Sequence, residues 1–281
     1  MQGKTVVVTG GTSGIGEVAA LRLAEKGARI VLIARDQTRA AATLVKLKNA
    51  NPSAAHAAHY GDLSALAEMK RVAGEVAAAE PRIDVLVNNA GAVFLSRKTS
   101  VDGLEMTFAT NHMAYFVVTN ILLDRLKATP GARIVSTASD AHRSGKLDFD
   151  DLQSEKSYSS FRVYGTSKLC NILFTCELAR RLDGADVTAN CLHPGFVGTR
   201  FGQNNANNIF MKALAKTIMS FGLSPEDGAR TIIHLASSPD VAAISGGYFY
   251  KCKVAEPTDA AQNDADAKRL WEVSAKIAGV G

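Results

Sequence analysis

Cysteine is scarce, and what there is does not pair. Cys170, Cys176, Cys191 and Cys252 are the four in 281 residues, and no two form a C-x-x-C pair. That density does not suit a secreted, disulfide-stapled domain, so reduced core or surface thiols of a cytosolic protein are expected, with no metal site. No run of eighteen or more apolar residues occurs, and a strand-like TVVVTG starts after four residues. Neither a membrane anchor nor a signal peptide is therefore expected, and a soluble, cytoplasmic protein is. Basic blocks are also missing: 32 Lys and Arg against 27 Asp and Glu leave +5, spread along the chain. Nucleic-acid binding is not expected, and an anionic small ligand fits this modest balance at least as well. Aromatics are sparse at 6 %, while an apolar fraction of 47 % is ample for a substantial core. Alanine and glycine dominate instead, which suits close helix-on-sheet packing.

Repeats, low-complexity tracts and long linkers are absent as well, so residues 1–281 are read as one domain. Short β-branched runs alternate with longer helical patterns: TVVV (5–8), IVLIA (30–34), VLVN (85–88), RIVST (133–137), VTANCL (187–192) and GYFY (247–250). A further strand, with a weak pattern, is placed in AAHAAHYGD (54–62). Apolar spacing of three and four marks helices over 15–26 and 64–79, and a final helix is placed near 265–278. Strands apolar on both faces and separated by helices predict an α/β fold, a doubly wound parallel sheet of about seven strands covered on each side.

The first strand runs into TGGTSGIG, with glycines at Gly10, Gly11, Gly14 and Gly16. Glycine lets backbone approach a pyrophosphate, and a helix starting here presents unpaired N–H groups and a positive dipole end. The spacing is G-x-x-x-G-x-G rather than G-x-G-x-x-G, and a ligand-free glycine turn is the plain alternative. In a dinucleotide-binding fold the adenine ribose is met at the end of the second strand, where this chain reads LIARD. With Ala34 at that end no carboxylate repels a 2′-phosphate, and Arg35 can pair with it, which points to NADP. Asp36 argues for the hydroxyls of NAD, and a solvated Arg-Asp turn is the alternative to both.

VYGTSKLCN places Tyr164 and Lys168 four residues apart, on one face of a helix. A free phenol is a poor base near neutrality, and an adjacent cation is expected to lower its pKa. The plainer reading is an amphipathic helix with a buried Tyr and a surface Lys.

With TGGTSGIG, NNAG (88–91), Asn111, the serine of STASDAH, YGTSK and HPGFVGT (193–199) in this order, the chain resembles the short-chain dehydrogenase/reductase family over nearly its whole length. CNILFTCELARRL, FDDLQSEKSY and AKRLWEVS are most similar to the retinol dehydrogenases and their bacterial relatives. The resemblance implies a Rossmann fold and hydride transfer between a nicotinamide cofactor and an alcohol, aldehyde or ketone. It implies Tyr164 as the acid/base and Lys168 as the group that tunes it and holds the nicotinamide ribose. Ser139 would hydrogen-bond the substrate oxygen, and Asn111 would hold a water linking Lys168 to solvent. Gly10, Thr12, Ser13, Gly14, Ile15 and Gly16 would hold the pyrophosphate. Asp62 and Leu63 would meet the adenine, with a plain turn as the alternative, and Asn89, Ala90 and Gly91 would lie beside the adenosine half. Pro194, Gly195, Val197 and Thr199 would flank the nicotinamide and its carboxamide. Asn88 is expected to brace the sheet, His193 to belong to the scaffold, and Ser136 and Tyr158 to be peripheral. Relatives commonly pair through the helices before Asn111 and around Tyr164, implying a homodimer or homotetramer.

The polar stretch between Ser139 and Tyr164 is expected to make an excursion over the site. Residues 200–224 are expected to cover the substrate: Phe210, Leu214, Ile218 and Phe221 recur at helical spacing, widened by Met211, Ala215 and Met219. Such a face suits a bulky lipophilic substrate, and equally a docked core helix or a second subunit. NNANN ahead of it reads as the hinge of a lid. Two rivals stand beside a carbonyl reductase: a cofactor-binding scaffold without turnover, and a nucleotide-sugar epimerase or dehydratase. The second usually has another glycine spacing and a longer C-terminal domain.

Overall fold

The computed structural model describes residues 1–196 and 223–280. Eight strands form one sheet in the order β3-β2-β1-β4-β5-β6-β7-β8. They are β1 Thr5–Thr9, β2 Arg29–Ala34, β3 Ala57–Tyr60, β4 Val85–Asn88, β5 Ala132–Thr137, β6 Val187–Leu192, β7 Tyr248–Tyr250 and β8 Lys253–Val254. The first seven are parallel, and β8 is antiparallel to β7. About seven strands were expected, and the eighth is a correction. Lys251 and Cys252 take φ of +48° and +62° to make the two-residue turn before β8. Such turns favour Asn-Gly, so this one left no mark in the sequence.

Alternation within the strands supplies a core to each face of the sheet. Val7, Val31, Ile33, Leu86 and Ile134 pack on one side against α3 (Leu66–Ala79), α5 (Ala114–Lys127) and α6 (Ser160–Arg181). Val6, Val8, Ile30, Leu32 and Val87 pack on the other against α1 (Gly14–Glu25), α2 (Gln37–Ala50) and α7 (Pro225–Ser237). Burial of this kind is worth about 25 cal/mol per Å² of apolar surface.

Strand order reverses between β1 and β4, so the crevice at their C-terminal ends is the place where an open α/β sheet takes a ligand. Two local features shape that edge. A three-residue turn, α4 (Met106–Phe108), runs into a π segment over Ala109–Met113, where Ala114 N donates to Ala109 O five residues back. After β5, a 3-10 turn over Asp140–Ser144 begins the long connection to α6.

That connection lies along α6. Lys146 N donates to Thr166 Oγ1 at 3.1 Å, and a Cβ on Gly145 would stand 2.6 Å from Gly165 O, so glycine is required for the two backbones to touch. Its far end is tied to the loop before α4, where Glu105 N donates to Gln153 Oε1 at 2.6 Å. The C-terminal helix α8 (Asp264–Ala278) covers α5 and α6: Trp271 stacks on Phe174 at 5.8 Å and meets Phe116 edge-on at 4.9 Å. No described helix is long and apolar enough to cross a membrane.

Candidate active site

The glycine turn is held by the side chains of Thr9 and Asn89, each bonded to main chain of the facing loop. Thr9, the last residue of β1, accepts from Asn89 N at 2.9 Å and Ala90 N at 3.1 Å through its hydroxyl. Asn89 Nδ2 returns to Gly10 O at 3.2 Å. Gly10 has φ +67°, and a Cβ there would lie 2.8 Å from Ala90 Cα. A Cβ on Gly16 would collide with Asn89 Nδ2 and Gly10 O. Glycine is thus imposed at both positions by the close approach of two loops. Ser13 stands at the N-cap of α1 in extended conformation and makes no capping bond with its side chain. The first amides of α1, from Gly14, Ile15 and Gly16, are left for an anion. Thr12 and exposed Ser13 sit on the rim of this cradle.

At the end of β2, Ala34 is buried and Arg35 is exposed. Arg35 makes no ion pair among the described residues. Asp36 is engaged elsewhere, its Oδ1 capping α2 by accepting from Arg39 N at 3.0 Å. Asp62 closes a turn on Ser64, whose N and Oγ donate to Oδ1 at 3.0 and 2.9 Å. Leu63 turns its side chain into the core. The plain-turn alternative is therefore the observed local geometry for this pair.

The catalytic candidates converge at the ends of β4 and β5. Lys168 is buried, and its Nζ donates to Thr137 O at 3.0 Å. The ammonium lies 5.6 Å from the ring centre of Tyr115 and 5.7 Å from that of Tyr164, within cation–π reach of both. Thr137 O also faces Asn171 Nδ2 and Tyr115 Oη, each at 3.4 Å. Three side chains from two helices thus gather on one carbonyl. The Ser139 side chain neighbours the Tyr164 phenol closely enough to favour its ionised form. Ser139 also caps its 3-10 turn, its Oγ accepting from Ala141 N at 3.2 Å.

Electrostatics here run against the expectation for Tyr164. Burial pushes its phenol up to about 12, with the neighbouring Ser139 hydroxyl acting the other way. Burial also brings Lys168 down to about 7. Removal from water dominates both groups, because no carboxylate among the described residues stands beside the ammonium to hold its charge. The tyrosine is therefore a proton donor near neutrality, with burial outweighing the nearby cation.

Asn111 is buried in the π segment. Its Oδ1 accepts from Ala92 N at 2.8 Å, while Nδ2 donates to Ala92 O and Ser167 Oγ, both at 3.0 Å. Both amide hydrogens are used, so a water can be held by this side chain only through Oδ1. The clamp sets Gly91 against the site, where a Cβ would come 3.2 Å from Asn111 Oδ1 and 3.6 Å from Lys168 Nζ.

Pro194 and Gly195 follow β6, with Gly195 at φ +82°. Val197, Thr199 and residues 200–222 of the substrate-covering segment, NNANN included, lie outside the described residues. His193 stacks on Tyr250 at 4.0 Å and is pushed toward its neutral form by burial. Asn88 Nδ2 donates to Thr119 Oγ1 on α5 at 2.9 Å. Ser136 is buried within β5, and Tyr158 donates to Phe94 O at 2.7 Å. Thr9, Tyr115, Thr137 and Ser167 were missed from the sequence. Only Thr9, ending a strand just before the glycines, left a positional signal.

Glycine cradle, buried lysine and the neighbouring serine and tyrosine lie along one sheet edge, and the short chain dehydrogenase family matches residues 4–209. The chain belongs to this family, among its retinol dehydrogenase-like members. It is 40 % identical to Retinol dehydrogenase 14 of Mus musculus over 100 % of this chain and 87 % of that protein. Against Retinol dehydrogenase 13 of Homo sapiens the values are 38 %, 99 % and 85 %. A solved structure from Mycobacterium paratuberculosis superposes with TM-score 0.79 and 29 % identity, covering 99 % of this chain and 94 % of that one. The NADP complex of RhlG from Pseudomonas aeruginosa superposes with TM-score 0.69 and 28 % identity, covering 89 % and 94 %.

Proposed function

We propose that this oxidoreductase transfers hydride between NADP and a lipophilic alcohol, aldehyde or ketone. The observation that carries this is the grouping of Tyr164 and Ser139 with buried Lys168, whose Nζ lies 5.7 Å from the Tyr164 ring centre and is held on Thr137 O. The nicotinamide, when bound, supplies or accepts the hydride. Ser139 donates to the substrate oxygen as negative charge grows on it, and Tyr164 delivers the proton that completes the alcohol. Lys168 offsets the charge left on the phenolate. Because Lys168 is buried, its charge acts there with little screening.

The residues present fit the cofactor. Uncapped amides at the start of α1 and the glycine-walled approach of Asn89 to Gly10 suit a pyrophosphate. For the 2′-phosphate, Arg35 is exposed at the end of β2, and the competing carboxylate of Asp36 is engaged in capping α2. Two solved relatives are NADP complexes. A lipophilic substrate is supported by Phe161, 76 % exposed one turn before Tyr164, with Leu95 and Phe196 exposed in the stretches that follow β4 and β6. The retinol dehydrogenase names of the relatives agree with that chemistry.

The test is NADPH oxidation by wild type and Tyr164→Phe across aldehydes and ketones of rising hydrophobicity, with NADPH affinity measured alongside. The variant should bind NADPH normally and lose about 10²- to 10⁴-fold in kcat. Should both proteins bind NADPH and neither reduce any carbonyl, a cofactor-binding scaffold becomes the better reading.

A further inference from the structure

The turn that carries Ser139 also holds a buried histidine with no role in the chemistry above. His142 Nδ1 lies 2.8 Å from Ser139 O, which also accepts from His142 N at 3.1 Å. On the far side of the ring, Thr258 N donates to Nε2 at 3.2 Å. A backbone amide can only donate, so Nε2 must present its lone pair, and the single proton of the neutral ring is left on Nδ1, aimed at the Ser139 carbonyl. Tyr248 meets the ring edge-on at 5.3 Å, and itself stacks on His193 at 5.6 Å. The imidazole is thus walled in. A second tie runs parallel to it, from Arg143 Nη2 to Glu256 O at 3.4 Å.

We propose that His142 is a positioning residue for Ser139: through Nδ1 it locks the serine main chain, and through Nε2 it anchors that lock to the segment following β8. The proposal rests on the oxidoreductase reading, since it gives the serine hydroxyl a fixed direction toward Tyr164 and the substrate oxygen. A serine in extended conformation at the head of a 3-10 turn has one main-chain carbonyl to be held by. His142 occupies that carbonyl twice, from its own amide and from its ring.

Two variants separate positioning from mere filling of space. His142→Asn retains a δ-position donor toward Ser139 O and gives up the acceptor for Thr258. His142→Gln reaches Thr258 N and gives up the δ donor. With a carbonyl substrate that wild type reduces and Tyr164→Phe does not, His142→Asn should keep kcat within about threefold, while His142→Gln should lose about tenfold or more, at unchanged NADPH affinity. Equal kcat in the two variants, high or low, overturns the proposal. A second measurement does not depend on turnover. Nitrogen-15 NMR of the cofactor-free wild type should show the imidazole proton on Nδ1 and a bare Nε2 at neutral pH, and a proton on Nε2 overturns the proposal. If wild type reduces no carbonyl, the oxidoreductase reading falls, and the NMR result still decides whether the lock exists.

Discussion

The two ends of the ligand crevice are built from different materials. At the β1–α1 end the working groups are main-chain amides, and the side chains that matter are mostly the ones glycine lacks. Nothing there is charged and buried, and Arg35 stands in solvent. At the β5–α6 end the working groups are side chains, Lys168 buried and Ser139 and Tyr164 half-buried, and loss of water displaces two of their proton affinities: Tyr164 to about 12 and Lys168 to about 7. A backbone cradle tolerates changes that leave its path alone. A polar cluster short of water costs stability and returns reactivity, as functional sites commonly do.

Substituting the buried cation tests this contrast most severely. Lys168→Met should reduce kcat by about 10²-fold or more while making the cofactor-free protein about 1–3 kcal/mol more stable at pH 6. Folded Lys168 loses its proton near pH 7, below the ordinary lysine range. Between those values the unfolded chain binds more protons, so wild type gains stability as pH rises through the window. The variant lacks that gain, and its advantage should shrink above pH 7. Urea melts at pH 6 and pH 9 measure this, and a variant less stable at both would show that the ammonium is not strained by burial.

Next in size is Gly16→Ala, which adds one methyl group against Asn89 and Gly10. It should cost about 1–3 kcal/mol by overpacking and weaken NADPH binding, read by a melt and a fluorescence titration. Unchanged affinity would remove the cradle from the cofactor site. The smallest effect belongs to the solvated end. Arg35→Ser should lower the NADPH over NADH preference by about tenfold, roughly 1.4 kcal/mol. Asp36→Asn, which keeps a capping oxygen, should leave that ratio within about twofold. A ratio that responds to Asp36 and not to Arg35 would return the adenine end to NAD.

Much of this was legible in the chain. Alternating β-branched runs and helical periods predicted the positions of six strands to within a residue, and of β3 only to a nine-residue window, because each reports a local period of the backbone. The glycines and the Tyr164–Lys168 spacing were legible for the same reason. The two-residue β8 escaped, since its turn uses Lys251 and Cys252 where Asn and Gly are usual. So did the docking of the 140–159 stretch along α6. The balance of burial against the cation at Tyr164 was not legible, because a spacing of four says which groups are near each other and nothing about how much water remains. The covering of α5 and α6 by α8 was equally hidden, because Trp271 meets Phe116 and Phe174 from far along the chain.

By itself the sequence determined a sheet with a phosphate-ready turn at one end and a phenol and an amine on one helical face at the other. Only the tertiary structure decided that the amine would bond to Thr137 O, that the phenol would keep its proton, and that His142 would stand behind the serine. Those outcomes depend on desolvation and on donors and acceptors meeting across long separations, and both are sums over the whole packed molecule rather than properties of any one segment.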